Sequence, residues 1–327
     1  MNYRTLGKTG LKVSEISLGT WQVGGKWGSE FNQKGAEEII NRAIDNGVNF
    51  LDTADVYSDG LSEKTVGKIV RSRSEEVYIA TKCGRFLDPH TNSAYQVDVL
   101  RKFVENSLSN LGVERIDLIQ LHCPPTEVFY RPEIFELFDK LTEEGKIRNY
   151  GVSVSKVEEA LKAIEYPGVS TIQIIFNMFR QRPSELFFRE AKAKNVGIIA
   201  RVPLASGLLT GKFNKTSTFS NDDHRNFNRE GAIFDKGETF SGIDFDLGLK
   251  VVEELKQTFN NQNLVHKALQ WILAFDEVSC VIPGASSVEQ LLSNLDTLSS
   301  EPLLDSEKEK ANAIYQKHIK KEVHHLW

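Results

Sequence analysis

The stretch Asn49-Phe-Leu-Asp-Thr-Ala-Asp-Val-Tyr57 contains a short apolar run that ends at an aspartate, with a tyrosine five residues further on. Two later stretches follow the same pattern, Val77-Tyr-Ile-Ala-Thr-Lys82 and Asp117-Leu-Ile-Gln-Leu-His122. Short apolar runs of this kind are typical of buried strands. Because an unpaired charge at the end of a buried strand is costly, we expect these ionisable side chains to be paired or to have a function.

Strand-like runs alternate with amphipathic helical stretches along most of the chain, which favours a parallel sheet with helical crossovers. Eight such units predict an α/β fold, the (β/α)8 TIM barrel, as a single domain over residues 1–327. The predicted strands are Ile16–Leu18, Phe50–Asp52, Val77–Lys82, Leu118–Leu121, Gly151–Ser153, Thr171–Ile175, Gly197–Arg201 and Cys280–Ile282. The predicted helices include Ala36–Asn46, Val97–Leu111, Glu133–Glu144, Val157–Ile164 and Pro183–Asn195.

Two segments lie outside the repeat. Residues 2–17 predict an N-terminal β-hairpin, and the polar stretch from Ala205 to Asp246 predicts a long loop. We interpret this loop either as a flap that covers a bound ligand or as a surface insertion. A doubly wound open sheet is the alternative α/β layout, but the glycines of Leu18-Gly-Thr-Trp-Gln-Val-Gly-Gly25 lack the spacing of a dinucleotide fingerprint.

Composition excludes several classes of protein. A chain of 327 residues with 40% hydrophobic and 26% charged residues can bury a large core, and its net charge of -5 argues against nucleic acid or a membrane surface as partner. No secretory signal or membrane-spanning run is present in the sequence, and no spacing typical of metal ligands is found. Three scattered cysteines, Cys83, Cys123 and Cys280, indicate a reducing compartment, so we expect a cytoplasmic location.

Asp52, Tyr57, Lys82 and His122 are the candidate catalytic residues, because active sites of such barrels lie at the carboxyl ends of the strands. An ammonium close to a phenol stabilises the phenolate, so Lys82 is expected to lower the pKa of Tyr57. Asp52 would keep Lys82 charged, and His122 could donate a hydrogen bond to a carbonyl oxygen. This set fits hydride delivery to a carbonyl carbon, with Tyr57 protonating the oxygen.

Taken in order, these motifs resemble those of the aldo-keto reductases, in particular a long-loop bacterial subgroup that is also similar to potassium-channel β-subunits. The resemblance extends over nearly the whole chain. It implies reduction of aldehydes or ketones, with Tyr57 as general acid, Lys82 and Asp52 as its tuning pair and His122 as the group that orients the substrate. It also implies that the barrel binds NADPH, or less readily NADH, together with a small carbonyl substrate.

The resemblance also implies a cofactor site. Ser153 matches a residue that holds the nicotinamide amide, although Val154 replaces the usual Asn, and Gln173 matches a second amide-binding residue. The stretch Arg201–Lys212 resembles a pyrophosphate loop, and Gly284 to Asn294 resembles the adenine end. The complete set is Gly19, Thr20, Trp21, Asp52, Ser153, Gln173, Arg201, Pro203, Leu204, Gly207, Leu209, Lys212, Gly284, Ser286, Gln290 and Asn294.

Several positions depart from the family pattern or have no assigned role. Arg201 replaces a Tyr that stacks on the nicotinamide in many members, so its charge should disfavour the oxidised cofactor, unless it points to a carboxylate and only bounds the pocket. Gly284 and Gln290 replace a Lys and an Arg that hold the 2′-phosphate in some relatives. Asp55 is expected only to cap a turn, and Cys123 is expected to face away from the site because side chains alternate along a strand.

Two alternative functions remain open from the sequence. Lys82 could form a Schiff base, as in class I aldolases, although this needs a lysine of lowered pKa. A regulatory subunit that senses redox state through its bound cofactor would keep the same four residues. The physiological carbonyl compound and the oligomeric state are not determined by the sequence.

Overall fold

The predicted apolar runs form one parallel sheet. In a computed structural model that describes residues 1–25 and 30–327, eight strands follow one another around this sheet in chain order. Two antiparallel strands, β1 (Tyr3–Thr5) and β2 (Lys12–Ser14), form the predicted hairpin. The parallel strands are β3 (Leu18–Gly19), β4 (Phe50–Asp52), β5 (Tyr78–Cys83), β6 (Ile116–His122), β7 (Ile147–Ser153), β8 (Val169–Ile175), β9 (Gly197–Arg201) and β10 (Val278–Val281).

The sheet closes on itself, which confirms the predicted barrel. Parallel bridges pair Ile16 with Val281 and Gly19 with Gly284, joining the segments around the first and last strands. Backbone hydrogen bonds from Ser17 N to Val281 O, 2.9 Å, and from Gly19 N to Pro283 O, 3.1 Å, complete the seam. Closure leaves the parallel sheet without an exposed edge.

Amphipathic helices surround the sheet. The predicted helix Pro183–Asn195 is divided into a 3₁₀ turn, Arg182–Ser184, and a shorter α-helix. The helices are α1 (Gln33–Asp45), α2 (Leu61–Ser72), α3 (Val97–Leu111), α4 (Pro132–Glu143), α5 (Val157–Ala163), α6 (Phe187–Ala193), α7 (His224–Phe227), α8 (Phe245–Thr258), α9 (Leu264–Leu273), α10 (Val288–Leu295), α11 (Asp305–Ile314) and α12 (Lys320–Val323).

Alternate side chains of each strand point into the barrel. These inner side chains are apolar at one end of the barrel and polar at the other. Leu118 lies in the inner apolar cluster, whereas its neighbour Ile119 packs in the outer core with the helices. Further along the same inner face of β6 stand Gln120 and His122, both buried. Strands β4 and β5 repeat the pattern, so polar side chains gather at the carboxyl ends of the strands.

The hairpin fills the opposite end of the barrel. Leu6, Leu11 and Val13 are buried against inner residues that include Phe50 and Leu118. The chain approaches β9 closely here, because a Cβ at Gly7 would lie only 2.1 Å from the backbone nitrogen of Gly197. The amino end is therefore packed with apolar side chains, and the carboxyl end is left for the polar ones.

The long loop between β9 and α8 is compact. It contains α7 and three 3₁₀ segments, Ala205–Thr210, Lys236–Glu238 and Phe240–Gly242. Aromatic contacts hold it together, among them Phe219 with Phe240 at a ring-centroid distance of 5.8 Å. The loop folds back to the barrel mouth, where the Glu238 carboxylate meets Arg201 and Arg85 at the ends of β9 and β5. This placement favours the flap interpretation of the loop.

Candidate active site

Three of the four predicted catalytic residues lie on adjacent strands and point into the mouth of the barrel. The Lys82 ammonium is 2.5 Å from Oδ1 of Asp52, and both residues are at most 2% exposed. Lys82 also donates to the backbone oxygen of Thr53 at 2.8 Å. Two buried charges that would each be costly alone therefore satisfy one another, as the sequence pattern required.

Tyr57 reaches the same place from the turn that follows β4. Its hydroxyl lies 3.3 Å from the Lys82 ammonium, and its ring centroid is 4.9 Å from that ammonium. The His122 ring stands nearly perpendicular to the Tyr57 ring, with their centroids 5.9 Å apart. Left-handed backbone at Ser58, Asp59 and Gly60 completes the turn before α2 begins. The predicted set of four residues is thus brought together.

Two buried amides hold the second oxygen of Asp52. Gln173 Nε2 donates to Oδ2 at 2.8 Å, and Gln120 Nε2 lies 3.4 Å from the same oxygen. Both glutamines are at most 2% exposed. Because each carboxylate oxygen has its own donors, the ion pair with Lys82 has a fixed orientation. Gln173 was predicted from the resemblance, whereas Gln120 was not singled out in the sequence.

The protonation states follow from burial and neighbouring charge. Burial alone would lower the pKa of Lys82, but Asp52 and Tyr57 together raise it above its ordinary value. Burial raises the pKa of Tyr57, and Asp52 adds to this, so the opposing effect of Lys82 is outweighed. The predicted effect of Lys82, which lowers the pKa of Tyr57, is present, but the net shift is upward because burial is the larger effect. At neutral pH the lysine is charged and the phenol is protonated.

His122 is neutral at neutral pH. Burial, together with the charges of Arg85 and Lys82, holds the pKa of its imidazole well below the ordinary value. Its Nδ1 atom is buried and has no hydrogen-bond partner among the described residues. A neutral imidazole can still donate one hydrogen bond to a ligand oxygen.

Arg201 lies at the end of β9 and contacts both the loop and a neighbouring strand. Its Nη1 atom is 3.7 Å from Oε2 of Glu238, and its Nη2 atom donates to the Val154 oxygen at 3.2 Å. Arg201 therefore points to a carboxylate, while its effect on the oxidised cofactor stays a prediction. Its Nε atom is buried without a partner in the part of the chain that the structure describes.

Cys123 lies inside the site and not outside it. A φ of +48° turns the chain directly after β6, which breaks the alternation expected for a continuing strand. Its sulfur consequently lies 3.5 Å from the Arg201 guanidinium and 3.5 Å from the Ser153 hydroxyl. The prediction that Cys123 faces away from the site is wrong for this reason.

The residues predicted to border the nicotinamide lie around the same mouth. Ser153 pairs with His122 across β6 and β7, and with Gln173 across β7 and β8. Thr20 donates to the Asp52 backbone oxygen at 3.0 Å, directly after Gly19. Trp21 lies beneath the loop, with its ring centroid 4.7 Å from that of His224.

The predicted pyrophosphate segment leaves β9 and turns back on itself. Gly207 has a φ of +97° and faces the Phe213 ring, so a side chain there would be strained and crowded. Pro203 and Leu209 are buried, Leu204 is half-buried and Lys212 is exposed. The segment therefore contains a glycine that is closely packed against the Phe213 ring and one exposed ammonium, that of Lys212.

The predicted adenine-end residues meet at the start of α10. Ser287 is the N-cap, accepting from Gln290 N, and Oε1 of Gln290 accepts from Ser286 N at 2.9 Å. Asn294 Nδ2 lies 3.4 Å from the Gly284 oxygen. Glu289 adds a negative charge to the first turn of the helix. Gly284 has open space where a Cβ would be, with its nearest contacts at 3.8 Å.

Three further residues at this end of the barrel have features that the sequence did not indicate. Arg85 follows β5 by two residues, so its position after a strand was a usable signal. Glu238 carried no signal, because its loop lacks periodicity. Asp55 is 5% exposed, and neither carboxyl oxygen has a well-formed hydrogen bond in the described residues, although the N–H groups of Val56 and Gly84 lie close enough to oppose the rise of its pKa. Because Val56 lies in the turn itself, the turn-capping role of Asp55 stays a prediction.

Residues 1–25 and 30–327 contain neither a metal-binding cluster nor a membrane-spanning helix. No group of three or more His, Cys, Asp or Glu side chains is arranged to hold a metal ion. No helix in these ranges has both the length and the apolar character needed to cross a membrane.

Comparison with known proteins gives a consistent result. Residues 15–316 match the Aldo/keto reductase family. The aldo-keto reductase YhdN of Bacillus subtilis is 32% identical, covering 93% of this chain and 92% of its own. A probable voltage-gated potassium channel subunit beta of Arabidopsis thaliana is 27% identical, covering 93% of both chains. The glycerol dehydrogenase AKR11B4 from Gluconobacter oxydans superimposes with a TM-score of 0.77 at 29% identity, covering 97% of this chain and 96% of its own.

Proposed function

The chain belongs to the aldo/keto reductase family, and we propose that it reduces aldehydes or ketones to alcohols with NADPH, with Tyr57 as the proton donor. The observation that carries this proposal is the buried Lys82 ammonium, which contacts both the Asp52 carboxylate and the Tyr57 hydroxyl beside His122. Within this family, general carbonyl reduction with a nicotinamide cofactor is supported by the relatives. The assignment of NADPH and of individual residues is our proposal.

The residues at the mouth fit a nicotinamide. The buried Nε–H of Arg201 lacks an acceptor among the described residues. Arg201 lies in β9, the strand that pairs with β8, which contains Gln173. Ser153 is the last residue of β7, and among the described residues its hydroxyl has one contact, at 3.5 Å from the Cys123 sulfur. Ser153 and Gln173 would bind the carboxamide, and Arg201 would lie against the ring. When bound, the reduced nicotinamide supplies the hydride.

The candidate catalytic residues account for the transfer of a proton to the carbonyl oxygen. His122 donates a hydrogen bond to the carbonyl oxygen and directs that oxygen toward the Tyr57 hydroxyl. As negative charge develops on the oxygen, Tyr57 transfers its proton and becomes a phenolate next to the Lys82 ammonium. Lys82 stays charged because Asp52 neutralises it, and water later restores the phenol. The raised pKa of Tyr57 keeps the donor protonated before reduction.

NADPH is preferred over NADH in this proposal. Lys212 is exposed at the end of the pyrophosphate segment, and the first turn of α10 offers backbone N–H groups with a positive dipole. Glu289 in the same turn opposes a phosphate. We therefore expect a measurable preference for NADPH, on the order of tenfold in Kd, to be found by fluorescence titration with both cofactors. Equal affinities would remove the NADPH assignment and leave the reductase assignment intact.

A panel of aldehydes and ketones tests the reaction. Wild-type protein should consume NADPH continuously and form one alcohol for each NADPH oxidised, measured by absorbance and by chromatography of the product. A control without carbonyl compound should show no sustained oxidation. Tight cofactor binding with at most one turnover per protein would contradict the proposal and would favour the regulatory subunit that senses redox state. The similarity to a channel subunit keeps that second function relevant.

The Schiff-base alternative is disfavoured by the environment of Lys82. A nucleophilic lysine needs a lowered pKa, but Asp52 and Tyr57 raise the pKa of Lys82. Borohydride added with an aldehyde should therefore leave the mass of the protein unchanged at Lys82. The cytoplasmic location remains part of our proposal, consistent with the free thiols of Cys83, Cys123 and Cys280.

Arg201 is expected to weaken binding of the oxidised cofactor, whose ring is cationic, relative to the reduced one. Arg201→Tyr should lower the ratio of Kd for NADP⁺ to Kd for NADPH by at least about threefold, which corresponds to about 0.6 kcal/mol. Glu238→Gln should raise the same ratio, because it removes the carboxylate that offsets the guanidinium charge. Arg189→Tyr, on the exposed side of α6, is the control. Unchanged ratios in both Arg201→Tyr and Glu238→Gln would contradict this role.

A further inference from the structure

Arg85 is a partly buried cation close to the catalytic residues that the proposed reaction does not use. It follows β5, the strand that carries Lys82, after a turn in which Gly84 has a φ of +101°. Its side chain is 22% exposed. Among the charges near His122, that of Arg85 contributes most to lowering the pKa of the imidazole. The guanidinium of Arg85 is therefore close enough to act electrostatically on the His122 imidazole.

The hydrogen bonding of Arg85 is incomplete. Within the part of the chain that the structure describes, its one hydrogen bond joins Nη1 to Oε1 of Glu238 at the long distance of 3.5 Å. A guanidinium has five N–H donors, arranged to grip a carboxylate or phosphate through two oxygens. Most of these donors are left for a ligand or for water.

Glu238 does not neutralise Arg85 fully, because it is shared. Its Oε2 atom is 3.7 Å from Arg201, while its Oε1 atom faces Arg85. Burial alone would raise the pKa of Glu238, but Arg201 and Arg85 hold it below its ordinary value. One carboxylate between two guanidinium groups leaves one positive charge in excess at this point.

Among the described residues, aromatic rings line the part of the mouth next to Arg85. Trp21 packs edge-on against His224 and Phe234, with ring centroids 4.7 and 6.3 Å away. Burial lowers the pKa of His224 to about 4, so this imidazole is neutral at neutral pH. The Phe234 ring also lies 5.9 Å from the Arg85 guanidinium. The mouth thus presents one excess cation beside an aromatic wall, and Tyr57 and His122 lie at its base.

We propose that Arg85 determines substrate specificity by binding an oxyanion of the substrate, so that the preferred substrates are carbonyl compounds that carry a carboxylate or a phosphate. The inference rests on the proposed reductase function. The oxyanion engages the free donors of Arg85 in competition with Glu238, while the carbonyl group reaches Tyr57 and His122. Without such a substrate, Arg85 makes only a weak contact with the loop, through the long hydrogen bond to Glu238, and part of its side chain is exposed.

Two matched pairs of substrates test the inference. Succinic semialdehyde is compared with butanal, and glycolaldehyde phosphate with glycolaldehyde, by initial rates of NADPH oxidation. Wild-type kcat/KM should favour the charged member by at least about tenfold in one pair, and the pair that responds identifies carboxylate or phosphate as the group. Arg85→Met should lower kcat/KM for the charged member at least about tenfold more than for the neutral one, mainly through KM.

Further variants separate recognition from a structural role. Arg85→Lys should restore part of the preference, because the charge returns without the bidentate geometry. Glu238→Gln should strengthen the preference, since it removes the competing carboxylate. Arg189→Met is the control and should leave both ratios at the wild-type value.

The outcomes are distinguishable. A wild-type enzyme that turns over both pairs without preference, or a preference that persists in Arg85→Met, would overturn the role of Arg85 while leaving the reductase function in place. No NADPH oxidation with any of the four compounds would overturn the proposed function, and with it this inference.

Discussion

Replacing Tyr57 by phenylalanine is expected to lower kcat for carbonyl reduction by at least about 10²-fold, the lower range for loss of a general acid. The substitution removes only the hydroxyl that lies 3.3 Å from Lys82, and it leaves the ring beside His122. The oxygen of the reduced carbonyl would then have to take its proton from water. Because Lys82 keeps its ion pair with Asp52, the buried charges remain satisfied and the protein should stay folded.

Three measurements accompany this substitution. Cofactor affinity, followed by fluorescence titration, should change by less than about threefold, since the hydroxyl is not among the predicted cofactor contacts. The control Tyr130→Phe removes the hydroxyl of a side chain that is 65% exposed and is not a candidate site residue, so it should leave kcat unchanged. Burial raises the pKa of Tyr57, so the wild-type rate should show no decline between pH 6 and about pH 9 that reflects loss of this proton. A rate in Tyr57→Phe close to that of the wild type would disprove its role as the acid.

Replacing Asp55 by asparagine is expected to increase stability at alkaline pH. Burial raises the pKa of Asp55 to about 8, and the nearby Glu63 adds to the shift. The unfolded chain loses the Asp55 proton near pH 4, whereas the folded chain retains it up to about pH 8. Wild-type stability should therefore fall as pH rises through this window, and the loss should be complete above it. At pH 9 this effect lowers the free energy of unfolding of the wild type by on the order of 5 kcal/mol relative to its value below pH 4.

Urea unfolding at several pH values tests this expectation. Between pH 5 and pH 9, the free energy of unfolding of Asp55→Asn should decline less than that of the wild type, because asparagine has no proton to lose. Asp59→Asn, on the same turn but exposed, should follow the wild-type profile. Parallel profiles for wild type and Asp55→Asn would show that Asp55 is ionised in the folded protein. A common offset without a change in slope would point to altered packing alone.

Much of the fold could be predicted because it depends on local patterns. The run Phe50–Asp52 and its counterparts contain strand residues, and the period of two places alternate side chains inside the barrel. The strand boundaries differ from the prediction by two or more residues at β3, β6, β7, β8 and β10, where the pairing partner determines how far a strand extends. The interruption of the predicted helix Pro183–Asn195 also depends on packing, since its helical pattern continues through the break.

The candidate site divides in the same way. The sequence by itself determined that Asp52, Lys82 and His122 share one end of the barrel, because each ends a strand of a parallel sheet. Only the tertiary structure decided the direction of the Tyr57 pKa shift, the unpartnered state of Asp55 and the approach of Glu238 to Arg85 and Arg201. The physical reason is that desolvation and Coulomb interactions depend on every group packed nearby. Glu238 and Arg85 meet across a separation of 153 residues, which no periodicity in the chain encodes.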